Sequence, residues 1–143
     1  MNASRMNYAE LSPEAYQGFI QTKKALGRST LGKPLIELVN LRVSQINGCA
    51  YCLCLHAKSL RDEGYPEEKL DSLAGWRVSA LYSDRERAAL NWAESMTLVA
   101  ETHAPDSQFS TLKKHFNDSE VSDLCFVVSL MNALNRMAIA MRK

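Results

Sequence analysis

The sequence contains little of what a sheet-based fold requires. Its 143 residues include only six glycines and four prolines. The alternation of β-branched and polar residues that marks strands is nearly absent. Periodic apolar positions typical of helices dominate instead. We therefore expect an all-α protein.

The chain also has almost no net charge, since it contains 17 basic and 16 acidic residues. No overall field favours nucleic acid or an anionic membrane. No apolar run reaches the length that a bilayer-spanning helix needs. The first sixteen residues lack the apolar core of a secretory signal. We therefore expect a cytoplasmic protein that binds neither nucleic acid nor membrane.

We find no internal repeat, no low-complexity segment and no linker, and the length suits one core. Residues 1–143 are therefore predicted to form a single helical domain that oligomerises through its helices. Capping signals and proline or glycine boundaries place the helices approximately at residues 13–26, 34–47, 49–63, 66–78, 83–101 and 119–143.

The predicted closing helix, residues 119–143, is apolar around much of its circumference. A helix of this kind is buried on several sides. Part of that burial is expected either within a monomer, where the helix would be central, or against another subunit. The sequence alone leaves both arrangements open.

The chain has only four cysteines and three histidines, yet residues 49–56 contain three of those cysteines and one histidine. Helical spacing places Cys49, Cys52 and His56 on one inward face with leucines. Cys54 points elsewhere, because residues two apart do not face each other. Cys125 lies in an apolar run and is interpreted as core packing. In a reducing compartment, such clustering indicates redox chemistry or metal binding.

Two effects could activate these thiols. Cys49 opens a helix, whose free N–H groups and dipole stabilise a thiolate. His56 follows Cys52 by four residues and could share its proton. On a regular helix the Cβ atoms of Cys49 and Cys52 would lie about 5–6 Å apart. A disulfide prefers about 3.8 Å, so the first turn would have to adapt, which suits a bond that forms and breaks.

Two other interpretations of this cluster remain. Cys52 and His56 could be ordinary core residues. Alternatively, Cys49, Cys52, His56 and Glu37 could hold zinc, although no second pair of ligands at short spacing supports such a site. Two cysteines and a histidine on one face at a helix start favour a functional site over ordinary core packing.

Residues 37–64 resemble the AhpD-like alkylhydroperoxidase group of the carboxymuconolactone decarboxylase family. The shared pattern is a glutamate, eleven residues, C-x-x-C, three residues and a histidine, here Glu37, Cys49, Cys52 and His56. The resemblance continues, over nearly the whole chain, at residues 7–16, 83–94, 102–106 and 132–140.

The resemblance implies a helical homo-oligomer, commonly a trimer or hexamer, acting as a thiol peroxidase in antioxidant defence without a cofactor or metal. Cys52 would attack the hydroperoxide with help from His56, and Cys49 would capture the sulfenic acid as a disulfide. Glu37 would accept a proton, although its own helix pattern alone suggests a solvated face. An external dithiol, thioredoxin-like or a dihydrolipoyl protein, would restore the thiols.

Other functions on the same fold remain open. The cysteines could serve a dithiol adaptor or redox sensor, and the fold could host a decarboxylase-type lyase, although the family's decarboxylases lack the cysteine pair. Tyr51 stands where the founding peroxidase type has a relay histidine, and tyrosine is a far weaker base at neutral pH. Cys54 is an addition with no assigned role. The helix N-terminus favours Cys49 as attacking thiol, so the two cysteines could exchange roles.

Overall fold

The computed structural model describes residues 4–143, and over that range it is helical with no strand. The all-α expectation is therefore confirmed. The α-helices are α1 (Tyr8–Leu11), α2 (Pro13–Leu26), α3 (Lys33–Asn47), α4 (Ala50–Asp62), α5 (Glu67–Asp71), α6 (Asp84–Thr97), α7 (Val99–Thr102), α8 (Asp106–Lys113) and α9 (Asp118–Met141). A 3₁₀-helix, Leu73–Val78, lies between α5 and α6.

Local capping explains where several helices begin. α2 starts at Pro13, whose missing N–H costs nothing in a first turn. α6 starts with the predicted capping box, in which Ser83 and Glu86 each accept from the other's backbone N–H. α9 has a second capping box, formed by Asn117 and Glu120, which the sequence analysis missed.

The structure differs from the predicted helices in where some of them end and in the presence of further short helices. The helix predicted over residues 66–78 is divided between α5 and the 3₁₀-helix, where Gly75 has non-helical dihedral angles. The helix predicted over residues 83–101 ends at Thr97. α8 was not predicted. Short helices such as these depend on tertiary packing more than on their own propensity.

α3 lies between two apolar clusters and forms part of both. One side of α3 presents Val39 and Val43 to a large cluster shared with α2, α6, α8 and α9. Its other side presents Leu38 and Leu41 to a smaller cluster that includes Leu60 of α4. Because α3 is packed on both sides, it holds α4 at a defined distance from α9.

α9 is, by length and composition, long and apolar enough to cross a membrane, with a mean hydropathy of 1.6 over its most apolar window. The expectation that no segment reaches this length is therefore wrong. The helix nevertheless packs against α2, α3 and α6. Leu124 and Val128 are fully buried, whereas Phe126 is 58% exposed. These contacts are those of a core helix with one uncovered apolar edge.

A buried polar network ties the end of α3 to α9. The Asn47 amide donates to Asn132 Oδ1 at 2.9 Å and to Asn135 Oδ1 at 3.0 Å. Asn135 in turn donates to Ser44 Oγ at 3.1 Å. Asn135 and Ser44 are completely buried, so losing either partner would leave an unpaired polar group in the interior. The network therefore defines the position of the last turn of α3.

The turn after α3 generates a stability prediction. Gly48 has φ of +69°, and a Cβ there would meet no atom within 4 Å, so the cost of Gly48→Ala is purely conformational. We expect a loss of about 1–2 kcal/mol in the free energy of unfolding, measured by urea denaturation. Gly18→Ala, in an exposed helical position with equally free space, should instead gain about 0.5–1 kcal/mol. Equal effects of both changes would contradict this account.

Candidate active site

The site begins at the tight connection between α3 and α4. Gly48 adopts the left-handed conformation that commonly ends a helix. The N–H of Cys49 then donates back to the Ser44 carbonyl at 3.1 Å. Cys49 is therefore the extended N-cap of α4, which begins at Ala50. The prediction that Cys49 is the first residue of the helix is corrected by one position. Its Sγ accepts from the Cys52 N–H at 3.4 Å.

Cys49 and Cys52 form a disulfide in the structure. Their Cα atoms are 5.3 Å apart, within the usual range for a bridged pair. Because Cys49 lies outside the helix, the separation of a regular first turn does not apply to the pair. The two residues are only 1% and 3% exposed. The predicted redox pair is therefore brought together, oxidised and nearly buried.

His56 is held by Glu37 across the α3–α4 contact. The distance from His56 Nδ1 to Glu37 Oε2 is 2.8 Å, and the two side chains are 6% and 12% exposed. A carboxylate can only accept, so Nδ1 carries the proton in this hydrogen bond. Nε2 is then the ring atom that can accept a proton from a neighbouring thiol. This arrangement of carboxylate, imidazole and thiol is the one that activates nucleophiles in many enzymes.

The surroundings of Glu37 keep its carboxylate ionised at neutral pH. Burial by itself raises the pKa of Glu37. The hydrogen bond and the charge of His56 outweigh that effect, with smaller contributions from the nearby Ser59 and Asn40 side chains, and hold the pKa below its ordinary 4.5. The sequence pattern does not single out Ser59, although it follows His56 by three residues and so shares its helix face.

A cavity of about 350 Å³ opens beside Cys52, His56 and Glu37. Its volume falls in the range typical of small-molecule sites. Apolar side chains make up most of its wall, and they come from α1, α2, α3, α4 and α9: Tyr8, Tyr16, Ile20, Leu26, Ile36, Leu55, Val127, Leu130, Met131 and Leu134. The sequence does not predict this cavity, because its walls come from helices that are distant in the chain.

The remaining cysteines and Tyr51 are not part of the group formed by Glu37, Cys49, Cys52 and His56. Cys54 is exposed and free, as its helix position predicted. Cys125 is only partly buried, and its Sγ accepts from Trp92 Nε1 at 3.3 Å. Tyr51 lines the cavity but is 41% exposed. Among residues 4–143, no group of three or more His, Cys, Asp or Glu side chains is placed to hold a metal ion.

Comparisons with known proteins place the chain in a family. Residues 13–95 match the carboxymuconolactone decarboxylase family. The uncharacterised protein YdfG of Bacillus subtilis is 32% identical over 139 residues, which cover 97% of this chain and 95% of YdfG.

Solved structures refine this assignment. A protein of unknown function from Agrobacterium tumefaciens, provisionally described as the antioxidant defence protein AhpD, superposes with a TM-score of 0.94. The two are 38% identical, with 99% of this chain and 97% of that one covered. An uncharacterised peroxidase-related protein from Silicibacter sp. TM1040 gives a TM-score of 0.80 at 31% identity, covering 92% of this chain and 70% of the other. The chain therefore belongs to the carboxymuconolactone decarboxylase family, in its AhpD-like, peroxidase-related branch.

Proposed function

We propose that the protein is a thiol-dependent peroxidase of antioxidant defence, which reduces hydroperoxides through Cys49 and Cys52. The observation that carries the proposal is a buried cysteine pair beside a histidine whose Nδ1 is bound by an ionised glutamate. Of these groups, Cys52, His56 and Glu37 line one cavity large enough for a small molecule. The peroxidase-related proteins of similar sequence and fold support the same reaction class.

In the reduced enzyme, His56 Nε2 takes the proton of the Cys52 thiol, and Glu37 stabilises the imidazolium that forms. The thiolate attacks the terminal oxygen of the hydroperoxide, and the O–O bond breaks. The departing alkoxide takes the proton from His56 and leaves as an alcohol. Cys52 is then a sulfenic acid, oxidised by two electrons.

Cys49 completes the reaction as the resolving residue. Its sulfur attacks the sulfenic sulfur of Cys52, water leaves, and the disulfide seen in the structure is the product. In this product the Cα atoms are 5.3 Å apart, a usual separation for a bridged pair. An external dithiol, thioredoxin-like or carried by a dihydrolipoyl protein, then reduces the disulfide by thiol exchange.

A dithiol adaptor or redox sensor is the second candidate function. It is favoured by Tyr51, which precedes Cys52 where the family's founding peroxidase type has a relay histidine, so that His56 is the one histidine within residues 37–59. Such a protein would exchange disulfides without consuming peroxide. Turnover of peroxide with an excess of dithiol distinguishes the two, since an adaptor would consume none above the rate of the dithiol alone.

The division of labour between the cysteines gives a direct test. Cys49→Ser should react once with one equivalent of hydroperoxide and stop as a sulfenic acid on Cys52, because no thiol remains to capture it. Cys52→Ser should react far more slowly. A sulfenic-acid probe followed by mass spectrometry reads out both variants. Labelling of Cys52→Ser but not of Cys49→Ser would show that the helix N-terminus outweighs the histidine and that the roles are reversed.

The Glu37–His56 pair gives a second test. His56→Ala should slow thiol oxidation at neutral pH about a hundredfold, and Glu37→Gln about tenfold, because general-base catalysis contributes this much or more. Glu120→Gln is the matched control, since Glu120 is also buried and hydrogen-bonded but lies outside the cavity. It should lower stability without slowing the reaction.

The lowered pKa of Glu37 also predicts how the effect of Glu37→Gln on stability depends on pH. Because the pKa of Glu37 is lowered in the folded protein, its contribution to stability is complete above about pH 4.5, the ordinary value. That contribution disappears as the pH falls through the lowered pKa. The difference in unfolding free energy between wild type and Glu37→Gln should therefore shrink in acid, and a difference that grows in acid would contradict the assignment.

We also propose that the chain forms a homo-oligomer, a trimer or a hexamer. Large apolar side chains remain uncovered in the monomer, among them Phe126 on α9 at 58% exposed and Val78 at 94%. Light scattering at micromolar concentration should therefore give a mass of three or six times the 16.0 kDa of the chain. A mass close to that of one chain would contradict the proposal, and Phe126→Glu should lower the measured mass if α9 forms the contact.

A further inference from the structure

The cavity beside Cys52 is larger and more apolar than hydrogen peroxide requires. Tyr8 and Tyr16 form part of one wall and meet edge to face, with ring centroids 5.9 Å apart. Ile20, Leu130 and Leu134 extend the apolar lining between α2 and α9. Only a substrate with an apolar body gains binding energy from such walls. The cavity therefore favours an organic hydroperoxide over a small polar one.

The same cavity has an excess of positive charge. Its lining side chains include three lysines, Lys23, Lys33 and Lys143, and one carboxylate, that of Glu37. Glu37 is already bound by His56, and Lys33 by Glu63 at 2.5 Å.

Within residues 4–143, no carboxylate lies within salt-bridge distance of the other two lysines. Lys143 Nζ lies 4.6 Å from the centre of the Tyr51 ring, and Lys23 is exposed on α2. Unneutralised positive charge along a largely apolar cavity attracts an anionic group on the ligand. Neither a neutral hydroperoxide nor hydrogen peroxide would use it.

We propose that the cavity takes amphipathic hydroperoxides with an anionic group, of the kind formed by oxidation of a long-chain carboxylic acid. This inference rests on the proposed function and names its substrate class. The apolar chain lies between α2 and α9, the hydroperoxide reaches Cys52, and the carboxylate is held by Lys23 with Lys143. The two thiols lose two electrons to form the disulfide, and the substrate leaves as the hydroxy acid and water.

The experiment compares three oxidants of the fully reduced protein: hydrogen peroxide, linoleic acid hydroperoxide and the methyl ester of that hydroperoxide, below micellar concentration. The acid should oxidise the thiols at least about tenfold faster than hydrogen peroxide, since apolar contacts discriminate by this much. The rate with the acid should exceed the rate with its ester about fivefold, which is the effect expected of one partly exposed ion pair. That advantage should fall with added salt.

Matched variants test the two parts of the cavity separately. Lys23→Glu should abolish the preference for acid over ester, whereas Lys24→Glu, its exposed neighbour outside the cavity, should retain it. Ile20→Trp should lower the ratio of the acid rate to the hydrogen peroxide rate about tenfold by filling the apolar space. Gln21→Trp, exposed and outside the cavity, should leave that ratio unchanged.

A binding measurement separates this inference from the proposed reaction. Calorimetric titration of the disulfide form with linoleic acid, and with its methyl ester, reports the cavity without peroxide chemistry. Tighter binding of the acid than of the ester, lost in Lys23→Glu, supports the inference even if no peroxide oxidises the thiols, in which case only the peroxidase function fails. Equal rates and equal binding for acid and ester, or equal rates for acid and hydrogen peroxide, overturn the inference and leave the peroxidase function standing.

Discussion

The left-handed turn at Gly48, closed by the hydrogen bond from the Cys49 N–H to the Ser44 carbonyl, is the constraint on which the site depends. It ends α3 and places Cys49 as an extended cap in front of α4. From there Cys49 can bond to Cys52 without distorting a regular helical turn. The same position leaves the sulfur beside the free N–H groups of the first turn, where a thiolate is stabilised. The network from Asn47 to Asn132 and Asn135 keeps this turn against α9.

The turn also makes α3 and α4 a closely packed pair, and this pairing supplies the acid–base chemistry. Glu37 and His56 are 19 residues apart in sequence, yet their side chains meet at 2.8 Å because the two helices pack side by side. Burial alone would favour a neutral carboxyl group at Glu37. Its hydrogen bonds reverse that preference, so the carboxylate stays charged and fixes which nitrogen of His56 accepts a proton. The groups that would activate the thiol therefore all lie within residues 37–59.

The cavity is built by other parts of the chain. α1 and α2 contribute aromatic and aliphatic wall residues, and α9 contributes the opposite wall. These helices contain no part of the cysteine–histidine–glutamate centre. In the proposed peroxidase, changes in α2 would therefore alter which peroxide enters without altering how Cys52 reacts.

Much of the fold and half of the site could be predicted from the sequence, because they depend on local rules. Proline and capping residues determine where α2, α3 and α6 begin, and the 100° advance per residue puts Cys52 and His56 inward while Cys54 faces solvent. The resemblance, not the helix pattern, singled out Glu37, whose own helix suggested a solvated face. Only packing between α3 and α4 decided that its carboxylate is buried against His56. The cavity likewise exists only in the folded chain, where α1, α2, α3, α4 and α9 together form its walls, since contacts between distant segments leave no signal in local periodicity.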